Sequence, residues 1–212
     1  MPHPCEAPSS IFIGLIGGVG DLISAAPSVV ALKKKYPYAQ ITFGVGDGIF
    51  FNTIKNDPNI DHFETPFFYN VWKKRLRRKV YREKYREHDL VLLLDNGTYD
   101  WWKPRKHLLD IYAEKCRVSL KERRPIIYLN DNDFEEAKKK LNELGISNND
   151  KFLVLSPETR SKKKMKEWPY DRFLSLIKKI HQNHDLKIVT LVSKENPYNY
   201  DGTIPLKGYP LG

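Results

Sequence analysis

Residues 13–37 read IGLIGGVGDLISAAPSVVALKKKYP, and the fold turns on how this stretch is parsed. The run SIFIGLIG, residues 10–17, is apolar and ends in glycine, as a buried strand entering a tight turn does. In PSVVALKKKYP the apolar positions Val29, Val30 and Leu32 precede a lysine-rich end stopped by Pro37, which predicts a helix. Strand, glycine turn, helix is the opening unit of a parallel α/β sheet. An aspartate, Asp21, stands where the turn gives way to the helix.

The same alternation continues outward. AQITFGVG predicts a second strand, and GIFFNTIKNDPNID a short helix and turn. HDLVLLLDNG is almost wholly apolar, as strands buried on both faces are. KHLLDIYAEKCRVSL is helical in pattern. RPIIYLNDNDFEEAKKKLNELGI predicts a strand, a cap and a helix ended by Gly145. KFLVLSPE, WPYDRFLSLIKKIHQNH and LKIVTLVS then give strand, helix and strand. This order argues for a doubly wound parallel sheet. The polar SNND, Ser147 to Asp150, marks a boundary. The expected organisation is a tail over 1–10, a Rossmann-like α/β domain over 11–147 and a partial second Rossmann-like unit over 148–212. Two strands and one helix are too few to bury a core alone.

Composition narrows the class. The chain has 212 residues, 41% of them apolar, which suits a globular protein. No apolar run approaches the ~18–20 residues that span a bilayer, and MPHPCEAPSS lacks the pattern of a secretory signal. Two distant cysteines, Cys5 and Cys116, suit a reducing compartment and offer no zinc-ligand spacing. The net charge of +10 favours a polyanionic partner.

GGVGD admits several readings. A phosphate-binding loop of the GxxxxGK[ST] type fails, because Asp21 follows Gly20 and no lysine is present. A dinucleotide GxGxxG finds Gly18 and Gly20 but meets Ile23 where the last glycine belongs. A purely structural reading remains open, in which the glycines make the turn and Asp21 caps the helix. Asp131-Asn132-Asp133 has the look of a metal-binding DxD, yet Asp133 followed by Glu136 reads better as a helix cap, and no metal site is expected.

GGVGDLISAAPSVVALKKKYPYAQITFGVG followed by NDPNID resembles the opening of glycosyltransferase family 9, the lipopolysaccharide heptosyltransferases. VLSPETRSKKKMKEWPYDRFLSLIKKI is similar to the family's later segment, with its lysine before Trp-Pro, and RPIIYLNDND to its interdomain segment. The resemblance spans most of Ile11 to Lys194. It implies a GT-B-like fold and a metal-independent, inverting transfer of a sugar such as heptose. The donor would be a nucleotide-diphosphate sugar such as ADP-heptose, a co-substrate with no further cofactor. The acceptor would be lipopolysaccharide or another cell-surface glycan, and the setting cytoplasmic, peripheral on the inner face of the membrane. Asp21 would be the base that takes the acceptor hydroxyl's proton, the one carboxylate a single displacement needs. Gly18 and Gly20 would let the acceptor sugar approach the backbone. Lys166 would hold the leaving diphosphate, with Thr159, Arg160 and Ser161 as further donors, and Glu195 would meet the ribose. Lys162 to Lys164 depart from the family pattern like an insertion. The family's later D-S-G-P-x-H segment, which holds the donor, does not occur before Gly212, so the donor-side unit is expected to lack its C-terminal part. Trp168 and Pro169 are assigned to packing and to the first helical turn.

VWKKRLRRKVYREKYREHD, residues 71–89, is dense in cations interleaved with aromatics. As a helix it would place Trp72, Leu76 and Val80 in one apolar stripe. Lys73, Lys74, Arg75, Arg77, Arg78 and Lys79 would then face an anionic membrane surface or glycan. The alternative to the enzyme is a non-catalytic protein on the same fold that binds an anionic polymer, a phosphorylated glycan or nucleic acid. No nucleic-acid module is recognisable, and a steep salt dependence would mark that reading.

Overall fold

The structure is a computed structural model that describes residues 7–67, 74–94, 106–158 and 167–208, the side chains of 74–78 excepted. It divides into two compact units, Met1–Leu129 and Asn130–Gly212. The boundary thus falls ahead of the expected one at 147–148. The reason lies in the contacts of the linker: Lys187 Nζ donates to Gly145 O at 2.7 Å and to Asp150 Oδ2 at 2.9 Å, which ties SNND and the helix before it to the second sheet.

In the first unit the strands are β1 (Ser10–Gly14), β2 (Gln40–Gly44), β3 (His62–Glu64) and β4 (Leu90–Leu93). All pairs are parallel, in the order β3-β2-β1-β4, with Gly14 opposite Gly44 and Ile11 opposite Leu90. The helices are α1 (Val19–Lys35), α2 (Ile49–Ile54), α3 (Lys74–Lys84) and α4 (Leu108–Cys116). Strand alternation sorts the core onto two faces. Ile11, Ile13, Ile41, Phe43 and Leu92 meet Leu22, Val29 and Leu32 of α1 and Tyr112 of α4. Phe12 points the other way, into an aromatic cluster with Phe67, Tyr81 and Tyr85.

That second face corrects the place of Val80 in the stripe expected for the basic helix. Val80 is 45% exposed, whereas Tyr81 and Tyr85 are buried. Tyr85 stacks on Phe12 with ring centroids 3.7 Å apart, and Phe67 meets Tyr81 edge-on at 5.4 Å. An i, i+4 aromatic pair buries a large apolar area, so the helix seats Tyr81 and Tyr85 on the sheet and leaves Val80 outward. Lys79 is exposed. Lys73 and Trp72 lie outside the described residues, as do the side chains of Lys74, Arg75, Leu76, Arg77 and Arg78.

Helix α1 starts well before PSVV and carries Pro27 in its interior. Proline has no N–H to give Ile23 O, its partner four residues back. The backbone N–H of Ile126 takes that place at 3.1 Å. RPIIYL therefore docks on a helix rather than joining the sheet: residues 125–130 form no strand, contrary to expectation, and Ile127 and Leu129 are half exposed. NDPNID does similar fastening. Asp61 Oδ2 accepts from Ile41 N and from Lys33 Nζ, each at 2.7 Å, and Asp57 Oδ1 accepts from Asn59 N at 2.9 Å. The expected tail is shorter than 1–10: Ser10 begins β1, and Ser9 N and Ser10 N both donate to Asp89 Oδ2, at 2.8 and 3.0 Å.

The second unit holds α5 (Asp131–Glu143), β5 (Phe152–Leu155), α6 (Tyr170–Asn183), β6 (Lys187–Val192) and β7 (Ile204–Lys207). Its sheet is parallel in the order β5-β6-β7. Strands β3 and β7 have no counterpart in the sequence reading. β7 is an edge strand, where its Pro205 is tolerated. Ile177 of α6 packs with Ile188, Val192 and Tyr200. The cap of α5 is Asn130, three residues earlier than expected. Its Oδ1 accepts from Asp133 N at 2.9 Å while Asp133 Oδ2 accepts from Asn130 N at 2.8 Å, a reciprocal capping box. Pro169 is the N-cap of α6 rather than a residue of its first turn, and Trp168, 49% exposed, stands edge-on to Phe173 at 5.0 Å.

Candidate active site

Asp21 is the third residue of α1, just past the carboxyl end of β1, where open parallel sheets bind their ligands. Its two oxygens have separate donors. Gly18 N–H reaches Oδ2 at 2.7 Å, and the Tyr112 hydroxyl reaches Oδ1 at 2.9 Å. The capping reading is therefore half right. Asp21 closes back on the N-cap amide, but Gly18 has no side chain to reciprocate, and the second oxygen is held by a buried tyrosine 91 positions away.

The glycines of the turn differ in what they do. A Cβ on Gly17 would lie 2.6 Å from Asp21 Cβ and 2.7 Å from its Oδ2, so this glycine makes room for the carboxylate. A Cβ on Gly18 would sit at an ordinary 3.6 Å from Oδ2, and one on Gly20 would meet nothing within 4 Å. Sequence reasoning singled out Gly18 and Gly20; the residue under steric constraint is Gly17. Tyr112 was also missed, since nothing local to α4 signals a contact with the first turn of α1. An aspartate one turn from a run of glycines was the available clue to the first, and there was none to the second.

At the corresponding edge of the second unit, Glu158 follows β5 and accepts from Ser193 N at 2.5 Å and Ser193 Oγ at 3.1 Å, and from Asn196 Nδ2. It laces the end of β5 to the end of β6. Glu195 is exposed beside this knot. Thr159, Arg160, Ser161 and Lys166 lie outside the described residues. Among the described residues, no group of three or more His, Cys, Asp or Glu could hold a metal ion, and no helix is long and apolar enough to cross a membrane. Cys116 is fully enclosed in the core, and burial pushes its thiol up to about 12.

No protein-family model matches the sequence, and no curated protein matches it. Solved structures do. The chain is 16% identical to the glycosyl transferase family 9 protein from Veillonella parvula, with a TM-score of 0.69 over 94% of this chain and 69% of that one. Against E. coli ADP-heptose lipopolysaccharide heptosyltransferase II the TM-score is 0.58 at 14% identity, over 94% of this chain and 72% of the other. Against E. coli heptosyltransferase WaaC with ADP it is 0.54 at 14% identity, over 95% and 76%. The chain is a mixed α/β protein with parallel sheets, and its fold is the GT-B-like fold of the family 9 glycosyltransferases.

Proposed function

We propose that this protein is a glycosyltransferase that moves a sugar from a nucleotide-diphosphate donor to a glycan acceptor, inverting the anomeric carbon without a metal ion. The observation that carries the reading is the Asp21 carboxylate, fixed by two donors at the carboxyl end of a parallel sheet. A carboxylate offers about four acceptor positions, so two remain for an incoming hydroxyl. In the reaction, Asp21 takes the proton of the acceptor hydroxyl as its oxygen bonds to the anomeric carbon. The bond from that carbon to the diphosphate oxygen breaks, and the diphosphate departs with its electron pair. Lys166 neutralises the departing charge in this reading, with Thr159, Arg160 and Ser161 as its neighbours and Glu195 toward the ribose. Gly18 and Gly20 line the approach of the acceptor sugar.

ADP-heptose is the donor to test first, because one structural relative is an ADP-heptose lipopolysaccharide heptosyltransferase and another holds ADP. Lipopolysaccharide or another cell-surface glycan is the matching acceptor, met at the inner membrane face. There Lys73, Lys74, Arg75, Arg77, Arg78 and Lys79 would each add about 1 kcal/mol near an anionic surface.

Calorimetric titration of nucleotide-diphosphate sugars into the wild type and Lys166→Ala tests the donor side. Binding by the wild type and weaker binding by the variant is the expected result. Binding by neither would replace the enzyme with the non-catalytic binder of an anionic polymer. Asp21→Ala is expected to keep donor binding and lose about 10²–10⁴-fold in turnover; retained turnover would remove Asp21 as the base.

A further inference from the structure

A second site lies on the first unit, away from Asp21. Between the outer face of α1 and residues 117–126 runs a groove of about 640 Å³, within the ~300–1,000 Å³ typical of small-molecule sites. Its floor is apolar: Val30 and Ala31 from the helix, Leu120 and Ile126 from the crossing segment. Two bonds hold the crossing segment on the helix face: Pro27 frees Ile23 O for Ile126 N–H at 3.1 Å, and Lys35 Nζ donates to Arg117 O at 3.1 Å.

Cations gather along the groove. Lys34, Arg117 and Lys121 line it, and none of their charged groups has an acceptor among the described residues; Glu122 is the single acid beside them. Arg117 is unusual in a second way. It ends α4 in the left-handed conformation, φ 54°, with its N–H on Glu114 O and Val118 N–H on Ala113 O. Glycine is the ordinary residue at such a helix end, because a Cβ there is strained. The chain keeps a strained arginine where glycine would be more stable, at a residue that borders the groove. Strain retained at an exposed position points to use of the side chain.

We infer that this groove binds a single-chain amphiphile with an anionic head, its hydrocarbon along Val30, Ala31, Leu120 and Ile126 and its head among Lys34, Arg117 and Lys121. Charge complementarity selects the head, and the apolar side chains of the floor select the tail. The site does not depend on the glycosyltransferase reading.

The test is calorimetric titration of dodecyl phosphate into the full chain below the micelle concentration, with circular dichroism to verify that the fold persists. Saturable one-to-one binding is expected, with none for inorganic phosphate and none for dodecyltrimethylammonium, which has the same tail and the opposite charge. Arg117→Gly is the decisive variant. It should raise the melting temperature by about 2–4 °C through relief of strain, while weakening dodecyl phosphate about fivefold, the worth of one cation near an anionic head. Ala31→Glu should abolish binding with the fold intact. Equal binding of the two amphiphiles, unchanged affinity in Arg117→Gly or Ala31→Glu, or binding only to phosphatidylglycerol vesicles would overturn the inference.

Discussion

At the scale of single residues, the turn after β1 is built around a side chain rather than around a ligand's phosphate. Gly17→Ala drives a Cβ into Asp21, and such overpacking costs about 1–3 kcal/mol. Turnover should fall with stability, because the carboxylate is displaced. Gly20→Ala meets nothing within the protein and sits inside α1, so it should raise stability by about 0.4–1 kcal/mol, while the added methyl, standing in the proposed path of the acceptor sugar, should raise the acceptor KM. Urea unfolding together with a donor-turnover assay separates the two variants. Tyr112→Phe keeps the buried ring but removes the donor to Asp21 Oδ1. A loss of about 1.5–3 kcal/mol is expected, the range for a hydrogen bond to a charged group. With the carboxylate less firmly oriented, kcat should fall more than the donor KM changes. Asp21 was legible in the sequence as a chemical oddity among glycines. Tyr112 was not, because hydrogen-bond partners far apart in the chain leave no local pattern.

At the scale of elements, two helices show how a periodic pattern can be read in the wrong phase. In α3 Val80 and Tyr81 are adjacent in sequence and fall on different faces, and only the sheet beneath decides which is buried. Tyr81→Ala should cost about 3–5 kcal/mol, as loss of a buried aromatic does, whereas Val80→Ala should stay within about 0.5 kcal/mol. Thermal unfolding of both checks the assignment. In α1 an interior proline would ordinarily break the helix. It survives here because Ile126 N–H satisfies the orphaned carbonyl. RPIIYL carries the composition of a strand, but its backbone is claimed by that helix first.

At the scale of the molecule, each unit is fastened by a carboxylate that titrates at unusually low pH. Hydrogen bonds from the side chain and backbone of Ser9, then from Ser10, hold Asp89 down to about 2. In the second unit Lys187, then Ser147, holds Asp150 down to about 2. Both values lie below the ordinary carboxylate near ~4. Their contribution is therefore complete above about pH 4 and is lost as pH falls toward about 2. Asp89→Asn and Asp150→Asn should each flatten the acid limb of the melting-temperature profile, independently of one another. At the alkaline end, burial and then the bond to Glu64 raise Tyr85 to about 12. That contribution is full below about pH 10 and fades as pH rises toward about 12, so Tyr85→Phe should flatten the alkaline limb.

The sequence by itself determined the alternation of strand and helix, the parallel sheets and the chemical character of the first turn. Those properties follow from hydrophobic period, capping residues and glycine placement, all of which act within a few residues. Only the tertiary structure decided which face of α3 is buried, that RPIIYL lies on a helix instead of in a sheet, and that the second unit begins before α5. It alone joined Tyr112 to Asp21. Each of these is a competition between distant groups for one partner, settled by burial and hydrogen-bond geometry that no single stretch of chain contains.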